Sequence, residues 1–341
     1  MKWHKKTGTL VMATAILALC SRLNYAASFP LPPPKQDIIG RVQYISAQYE
    51  DTLLDIARKY DLGYEEIVAA NPDVDPWIPG EGRRITIPTQ FILPPGQRKG
   101  IIINLAELRL YYYPHNERRV ITHPLGIGRE GWATPTGRMS IVEKKANPSW
   151  AVPESIRKEY AAKGEILPRV IPPGPNNPLG QFAMRLSQPQ YLLHGTNQPW
   201  GVGMRVSHGC IRLYPEDIKT LFPQVPIDTS VEIINQPYKA GWLDNNLFIE
   251  AHSPLHEQFA MEGNNLTPLV KAIVTAYGEA RPNATALSKM QRIASQHTGI
   301  PTSLTQTITY YEGRSLREMQ KHSTQFMRME TALTTQQTAI P

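Results

Sequence analysis

The sequence predicts a mostly β domain with a small α+β module before it and a partly helical extension after it. Residues 98–236 contain many short β-rich runs separated by glycine and proline turns, which is typical of an all-β domain. Residues 41–89 instead show the order strand, helix, helix, strand, and residues 237–341 shift towards helical patterns. Hydrophobic residues make up 41% of the 341 residues and charged residues 19%, which indicates a globular protein.

The amino-terminal segment predicts a signal peptide over residues 1–27. Basic residues in the first six positions precede the apolar run Leu10–Cys20, and Ala26 and Ala27 offer small side chains for cleavage. This run is shorter than the roughly 20 residues that a membrane-spanning helix needs. An uncleaved anchor and lipidation at Cys20 are the alternatives. With cleavage, the mature protein is expected to be exported and to have no transmembrane span.

The net charge of the chain indicates which classes of partner it attracts. The net charge is +7 and the isoelectric point is near 9.3, which draws an exported protein towards anionic polymers and membrane surfaces. The sequence has no basic stripe interleaved with aromatic residues. It therefore does not predict nucleic-acid binding.

Two segments precede the β-rich domain. Residues 28–40 contain four prolines and predict an extended linker. Residues 41–89 follow as a compact module, bounded by the turn at Pro94–Gly96. Its predicted elements are a strand over Val42–Ala47, a helix capped by Asp51, a second helix over Glu65–Ala70 and a strand over Arg84–Ile87.

The β-rich domain is expected to begin with a hairpin and to end with a closing strand. The predicted strands are Gly100–Asn104, Leu108–Tyr113, Val120–Gly126, Met139–Val142, Phe182–Leu186, Tyr191–His194 and Val231–Ile234, with helices over Glu154–Lys163 and Pro215–Phe222. A long irregular stretch such as the proline-rich segment 171–180 is usually either disordered or functional. The nearby Trp150, Phe182 and Met184 indicate that it packs, so it is expected to form a wall or lid of a cleft. In the extension, the sequence predicts helices over Leu266–Glu279, Ala284–Gln296 and Gly313–Glu330.

One short segment, Tyr191–Tyr214, carries the chemistry. Once the leader is removed, Cys210 is the only cysteine, and an unpaired thiol in an oxidising compartment is a liability unless it is used. His194 ends a predicted strand 16 residues earlier, and His208 lies two residues away. A histidine close to a cysteine can generate the thiolate that nucleophilic catalysis needs. The amides of Gly209 and Cys210 are candidates for an oxyanion hole.

Two other interpretations of the same residues stay open. A buried and inert cysteine is the first, although the polar and small neighbours of Cys210 argue against simple core packing. A zinc site is the second, but it needs three or four ligands, and one cysteine with two histidines at this spacing is not a standard set. The sequence therefore predicts neither a metal nor an organic cofactor.

The motif resembles the signature of a known family. His194-Gly195-Thr196, followed by Ser207-His208-Gly209-Cys210-Ile211-Arg212-Leu213, is similar to the signature of the L,D-transpeptidases, the YkuD family. Leu108–Tyr113 and Thr134–Gly137 match the same family, and the resemblance covers 98–236. The chain as a whole is similar to the periplasmic ErfK/YbiS-like subgroup, and residues 41–89 resemble a LysM domain. The resemblance implies a β-sandwich catalytic domain and a glycan-binding module. A structural appendage with no glycan affinity is the alternative for the module.

The resemblance also implies a role for each residue of the motif. Cys210 is expected to be the nucleophile and His194 its base. The backbone carbonyl of Ser207 is expected to orient that histidine, and Gly195 follows it as the pattern requires. His208 and Gly209 are expected to shape the oxyanion hole, while Arg212 holds the motif or a substrate carboxylate.

The implied reaction is acyl transfer on peptidoglycan in the periplasm. A tetrapeptide stem acylates the cysteine at diaminopimelate and releases D-alanine, and an amine then resolves the thioester. The acceptor is another stem, giving a 3–3 crosslink, or the lysine of an outer-membrane lipoprotein. The family also implies thioester formation with carbapenems. The alternatives are a hydrolase (an L,D-carboxypeptidase) on the same scaffold and a non-catalytic glycan-binding wall protein.

Overall fold

The computed structural model describes residues 27–255, 266–277, 281–282, 284–304 and 308–309. The predicted signal peptide up to residue 26 and the helix predicted over Gly313–Glu330 lie outside the described residues. The helices are α1 (Leu53–Lys59), α2 (Tyr64–Ala70), α3 (Glu154–Ala162), α4 (Pro215–Gln224), α5 (Thr267–Tyr277) and α6 (Ala284–Gln296), with a 3-10 turn at Pro199–Gly201. None of the helices in this part of the chain is long and apolar enough to span a bilayer.

The strands are short and numerous, as the sequence predicts. In chain order they are β1 (Ala27–Pro30), β2 (Ile38–Gly40), β3 (Gln43–Ser46), β4 (Arg84–Ile87), β5 (Gln90–Ile92), β6 (Gly100–Asn104), β7 (Arg109–Tyr113), β8 (Arg119–Pro124), β9 (Ile127–Gly128), β10 (Gly137–Ala146), β11 (Trp150–Ala151), β12 (Val170–Ile171), β13 (Phe182–Leu186), β14 (Leu192–His194), β15 (Arg205–Ser207), β16 (Ile211–Arg212), β17 (Ser230–Ile234), β18 (Tyr238–Leu243), β19 (Asn246–Ala251), β20 (Arg281–Pro282), β21 (Thr302–Ser303) and β22 (Ile308–Thr309).

A nine-stranded sheet forms the centre of the β domain. Its order is β1–β8–β7–β6–β17–β10–β13–β14–β16, with parallel pairing in β6–β17 and β14–β16. Ile121 on β8 and Ile211 on β16 lie near opposite ends of this order, yet both belong to one core. The sheet must therefore curl around that core, which Ile218 and Leu221 of α4 help to fill. A mostly β catalytic fold is thus confirmed, and its layers arise from one curled sheet.

The sequence of β6 explains why both faces of this sheet are covered by packed side chains. Gly-Ile-Ile-Ile-Asn is buried at every position, and a continuous apolar run is the pattern of a strand covered on both sides. Successive side chains of a strand point to opposite faces. Ile101 and Ile103 therefore enter the core inside the curl, whereas Ile102 packs with Tyr111 against the small module.

The small module has the predicted order of strand, helix, helix, strand. β3 and β4 pair antiparallel, and α1 and α2 lie between them in sequence. The cap of α1 differs from the prediction: Thr52 is the N-cap and accepts a hydrogen bond from the Asp55 amide at 3.1 Å. Asp51 instead accepts one from the Gln48 amide at 2.8 Å, which closes the preceding turn.

The extended linker predicted over residues 28–40 is instead part of the folded domain. Ala27–Pro30 forms the edge strand β1, paired with β8, and Ile38–Gly40 pairs with β5. Phe29 and Leu31 pack against the core that the module shares with the sheet, so burial of these side chains offsets the cost of ordering the segment. Proline is compatible with this position because it lies at the end of an edge strand.

The C-terminal extension contains strands that the sequence did not predict, while α5 and α6 lie where two helices were predicted. β18 and β19 form a hairpin, β21 pairs with β19, and α5 and α6 pack on them. The buried Lys239 of β18 joins the extension to the β domain. Its Nζ donates to Glu107 Oε2 at 2.6 Å and to the Ile92 carbonyl at 2.6 Å, and it lies 2.8 Å from Glu250 Oε1. The lysine therefore compensates part of the charge of two buried carboxylates that would otherwise be costly.

Candidate active site

The parallel pair β14–β16 brings the predicted cysteine and histidine together. Leu193 lies opposite Ile211, and His194 lies opposite Arg212. Leu193 and Ile211 point into the core inside the curl. Because side chains alternate along a strand, His194 and Arg212 project from the other face. The Arg212 charge acts both on His194 and on Cys210, which directly precedes β16. Arg212 is thus close to both residues, which are 16 positions apart in sequence.

The Cys210 thiol is half-buried above the turn between β13 and β14. Its Sγ donates to the Gln190 carbonyl at 3.6 Å. Burial raises the pKa of this thiol, while the Leu192 backbone amide and the Arg212 charge oppose the rise. The resting site therefore holds a thiol, and a base has to remove its proton.

His194 is buried and is held in one orientation. Its Nδ1 lies 2.5 Å from the carbonyl of Gly195, so Nδ1 carries the proton and Nε2 keeps a free lone pair. Burial, and then the Arg212 charge, lower the pKa of His194 to about 3. The imidazole is therefore neutral at physiological pH, which is the state that can accept a proton from a thiol.

Ser207 braces the turn that carries the cysteine. Its Oγ donates to the Cys210 carbonyl at 2.6 Å and accepts from the Gly209 amide at 3.2 Å. Its own carbonyl accepts from the Arg129 amide at 3.0 Å, and the carbonyl that contacts His194 belongs to Gly195. The expectation that the Ser207 carbonyl orients His194 is therefore wrong here: the Ser207 side chain holds the Cys210 backbone instead.

Gly209 has a conformation that a side chain would disturb. Its φ is +101°, and a Cβ atom at this position would lie 3.0 Å from Tyr191 Cε1. Because its amide is bonded to Ser207, the prediction that this amide serves an oxyanion hole is corrected, and Cys210 N–H is left as the candidate backbone donor. Thr134 donates to the Gly209 carbonyl at 2.9 Å and accepts from the Gly128 amide at 3.0 Å.

His208 faces α3 rather than the thiol. Its Nε2 lies 3.0 Å from Glu159 Oε2 and 3.1 Å from Arg129 Nη2, and its ring packs edge-on against Trp132 at 4.9 Å. Hydrogen bonds from Lys163, Arg129 and His208 lower the pKa of Glu159 to about 2. His208 thus anchors the motif to the helix beside it.

Sequence analysis missed this anchor. Arg129 and Glu159 form an ion pair at 2.5 Å, but they are 30 residues apart in the sequence, with β10 and β11 between them. The only local signal is the i,i+4 spacing of Glu159 and Lys163 on the predicted helix. That spacing indicates a helix face, and it does not identify His208 as a partner.

The backbone of Arg212 is fixed by hydrogen bonds, and its side chain is available to the site. Its amide and carbonyl both bond to Gly126 at 2.8 Å. Its guanidinium lies over Gly201, where a Cβ atom would come within 2.8 Å of Nη1. Nε is buried without a hydrogen-bond partner in the described part of the chain. A cation next to Cys210 with a free donor is suited to an anionic substrate group.

Gly195 is required by packing behind the histidine. Its amide donates to the Phe182 carbonyl at 3.0 Å, and a Cβ atom there would lie 3.0 Å from Ile218 Cγ2. A groove of about 1060 Å³ begins just beyond it, lined by Asn177, Thr196, Asn197, Lys219 and Arg58, among others. Asn177 is buried and donates to the Pro148 carbonyl at 2.8 Å, so the proline-rich segment forms an ordered wall.

The small module supports the loop that joins the two catalytic candidates. The Glu65 amide at the start of α2 donates to the Gly203 carbonyl at 3.1 Å, and the Gly203 amide donates to the Leu125 carbonyl at 3.0 Å. The backbones of Gly63 and Gly203 are in close contact, because a Cβ atom on Gly63 would lie 2.6 Å from Cα of Gly203. The module is therefore part of the scaffold of the site.

The comparisons with known proteins agree with the geometry. Residues 98–233 match the L,D-transpeptidase catalytic domain, YkuD. The probable L,D-transpeptidase YcfS of Escherichia coli K12 is 40% identical over 298 residues, which is 86% of this chain and 92% of the relative. The probable L,D-transpeptidase YbiS of the same strain is 42% identical over 284 residues, 81% of this chain and 92% of the relative. The probable L,D-transpeptidase ErfK/SrfK of Escherichia coli K12 is 40% identical over 264 residues, which is 76% of this chain and 85% of the relative.

Proposed function

This chain belongs to the L,D-transpeptidase family, and we propose that it transfers peptidoglycan stem peptides through a thioester on Cys210. The observation that carries the proposal is the common face of β14 and β16, where His194 lies opposite Arg212 and the Arg212 charge also acts on the adjoining Cys210. A nucleophile, a neutral base and a cation on one surface are the groups that acyl transfer from an anionic peptide needs.

The proposed acylation begins with proton transfer from Cys210 to Nε2 of His194. The thiolate attacks the carbonyl between the L-centre of diaminopimelate and the terminal D-alanine, and Cys210 N–H stabilises the oxyanion. The intermediate collapses as the carbon–nitrogen bond breaks. The imidazolium returns its proton to the departing amine, so that D-alanine leaves and the thioester remains. An acceptor amine then attacks the thioester and restores the thiol.

Arg212 links substrate binding to this proton transfer. Its charge is one of the causes that lower the pKa of His194. A substrate carboxylate paired with the guanidinium would screen that charge, and the pKa of His194 would rise towards the range of an effective base. The site is therefore expected to become active only when an anionic stem peptide is in place.

The small module is proposed to bind the glycan strand. Tyr49, Trp77 and Ile78 are large side chains that are 82%, 61% and 76% exposed. The amides of Trp77 and Ile78 donate to Asp75 Oδ1 at 2.8 and 3.1 Å, so the loop is rigid while its apolar side chains face solvent. Exposed aromatic faces on a rigid loop are suited to stack on sugar rings. This arrangement supports the LysM-like interpretation and a location at the cell wall in the periplasm.

The test is the product of incubation with disaccharide tetrapeptides. Mass spectrometry is expected to show release of D-alanine and a new species joined through diaminopimelate, which Cys210→Ala does not form. A 3–3 dimer identifies a stem acceptor, and an adduct with a lysine-ending peptide identifies a lipoprotein-type acceptor. Formation of free tripeptide alone would favour the carboxypeptidase, and full activity of the alanine variant would overturn the proposal.

A further inference from the structure

Three ionisable side chains outside the active site meet in the interior between the small module and the sheet. Asp61 follows α1, His123 lies on β8, and Asp217 lies in the first turn of α4. His123 Nδ1 is 3.6 Å from Asp61 Oδ2 and 3.4 Å from Asp217 Oδ1. All three are at least nine-tenths buried, and Asp61 Oδ1, Asp217 Oδ2 and both nitrogens of His123 lack hydrogen-bond partners in the described residues. The proposed reaction uses none of them.

The described side chains leave this cluster short of positive charge. Its carboxylates are Asp61, Asp217 and the adjoining Glu66, and its cations are His123 and Arg109. Arg109 pairs with Glu66 at 2.7 Å and donates to the Asp61 backbone carbonyl at 3.0 Å. Burial raises the pKa of Asp217 to about 7, with the charge of Asp61 as the second cause. A further cation would therefore be strongly stabilised at this place.

The backbone nitrogen of Ala27 occupies the position of that missing cation. It lies at the start of β1, opposite Thr122, and donates to Asp61 Oδ2 at 2.8 Å. As part of a peptide bond this group is neutral and has one proton to donate. As the first residue of a chain it is an ammonium with a full charge and three donors.

The end of the predicted leader lies at the same residue. Signal peptides are cleaved after a small residue, with a second small residue two positions earlier. Cleavage after Ala26 places Asn24 at that earlier position, whereas cleavage after Ala27 places the bulky Tyr25 there. The structure thus favours a boundary one residue earlier than the 1–27 segment expected from sequence.

We propose that hydrolysis of the Ala26–Ala27 peptide bond creates an α-ammonium that binds Asp61 and completes this buried cluster. Water is added across the bond, so the leader leaves with the carboxylate of Ala26 and the mature chain keeps the ammonium of Ala27. The new terminus fastens β1 to the sheet and the module to β8. Only the processed chain then has a fully compensated interior, and its stability is coupled to export.

The test is a double-mutant cycle on the purified mature chain. One sample has a free Ala27 amine and the other an acetylated one, each with Asp61 intact and with Asp61→Asn. Acetylation is expected to shift the unfolding equilibrium constant by roughly tenfold or more with Asp61 present, and by less than about twofold in Asp61→Asn. Asp228→Asn, an exposed control, is expected to keep the full effect. Equal effects in all backgrounds, or none, would overturn the proposal.

A second measurement holds even if Asp61→Asn does not fold. At neutral pH an α-amine, with an ordinary pKa of about 7.7–8.0, reacts with acylating labels before lysines do. The Ala27 amine is expected to be protected roughly 100-fold in the native chain and to react after unfolding. Rapid labelling of the native chain, an amino terminus other than Ala27, or a stoichiometric divalent metal bound by the cluster would each contradict the assignment.

Discussion

His194 lies directly opposite Arg212 in the parallel pair β14–β16, and the two side chains share the face that carries Cys210. This relationship gives the arginine two effects on the reaction. In the proposed reaction it supplies a cation for the substrate, and its charge lowers the pKa of His194.

Replacing Arg212 with methionine is expected to raise the pKa of His194, because the charge that opposes protonation is removed while the apolar volume stays. NMR titration of the imidazole measures this shift directly. KM for the tetrapeptide is expected to rise by about tenfold or more, since a carboxylate loses its charged partner. Arg185→Met is the matched control, because Arg185 pairs with Glu143 on the outer surface. Loss of activity with no change in the pKa of His194 or in KM would show that Arg212 acts only through its backbone.

The buried His194 predicts a pH dependence of stability. Its pKa is about 3 in the folded chain and 6.5 as an ordinary value, so between these limits the unfolded state binds more protons. The free energy of unfolding therefore rises with pH in this window, with a contribution of at most about 1.4 kcal/mol per pH unit. His194→Gln is expected to remove that contribution, as measured by urea unfolding between pH 4 and 6. An unchanged slope would mean that the histidine is not buried as a neutral group.

Thr134→Val tests the support of the nucleophile turn. The valine keeps the shape but breaks the bridge between the Gly128 amide and the Gly209 carbonyl. Because small displacements of a nucleophile are costly, kcat is expected to fall by roughly 10- to 100-fold, with a loss of about 1–3 kcal/mol in stability. Thr136→Val, at an exposed position of the same loop, is the control. Equal kcat values in the two variants would show that Thr134 does not support the turn that carries Cys210.

Trp77→Ala tests the glycan proposal. Since Trp77 is exposed and remote from the motif in sequence, its loss is expected to weaken sedimentation of the protein with insoluble peptidoglycan by about tenfold. Turnover of a small soluble muropeptide is expected to stay within twofold, because the catalytic face is untouched. Ile166→Ala, which removes an even more exposed apolar side chain from the β domain, is the control. Unaltered wall binding of the tryptophan variant would leave the module as a purely structural support.

The local parts of the fold were predictable, whereas the partners across long distances were not. The apolar run of β6 and its hairpin with β7 follow from patterns within a few residues. The Cys210 motif can be recognised from its residue types alone. The prolines after Ala27 indicate an extended chain, but nothing near them shows that it pairs with β8. Likewise, the contacts Thr134–Gly209 and Glu159–His208 join residues 75 and 49 positions apart. Only the curl of the sheet brings these groups together.

The most direct test of the account is the mass of the Cys210 peptide after brief incubation with a tetrapeptide donor and no amine acceptor. The account predicts a thioester that adds the mass of the stem up to diaminopimelate, with one D-alanine released for each acylated cysteine. His194→Gln is expected to slow its formation by about 100-fold or more. Turnover of the donor with an unmodified Cys210, or with a Cys210→Ala chain, would contradict the central claim.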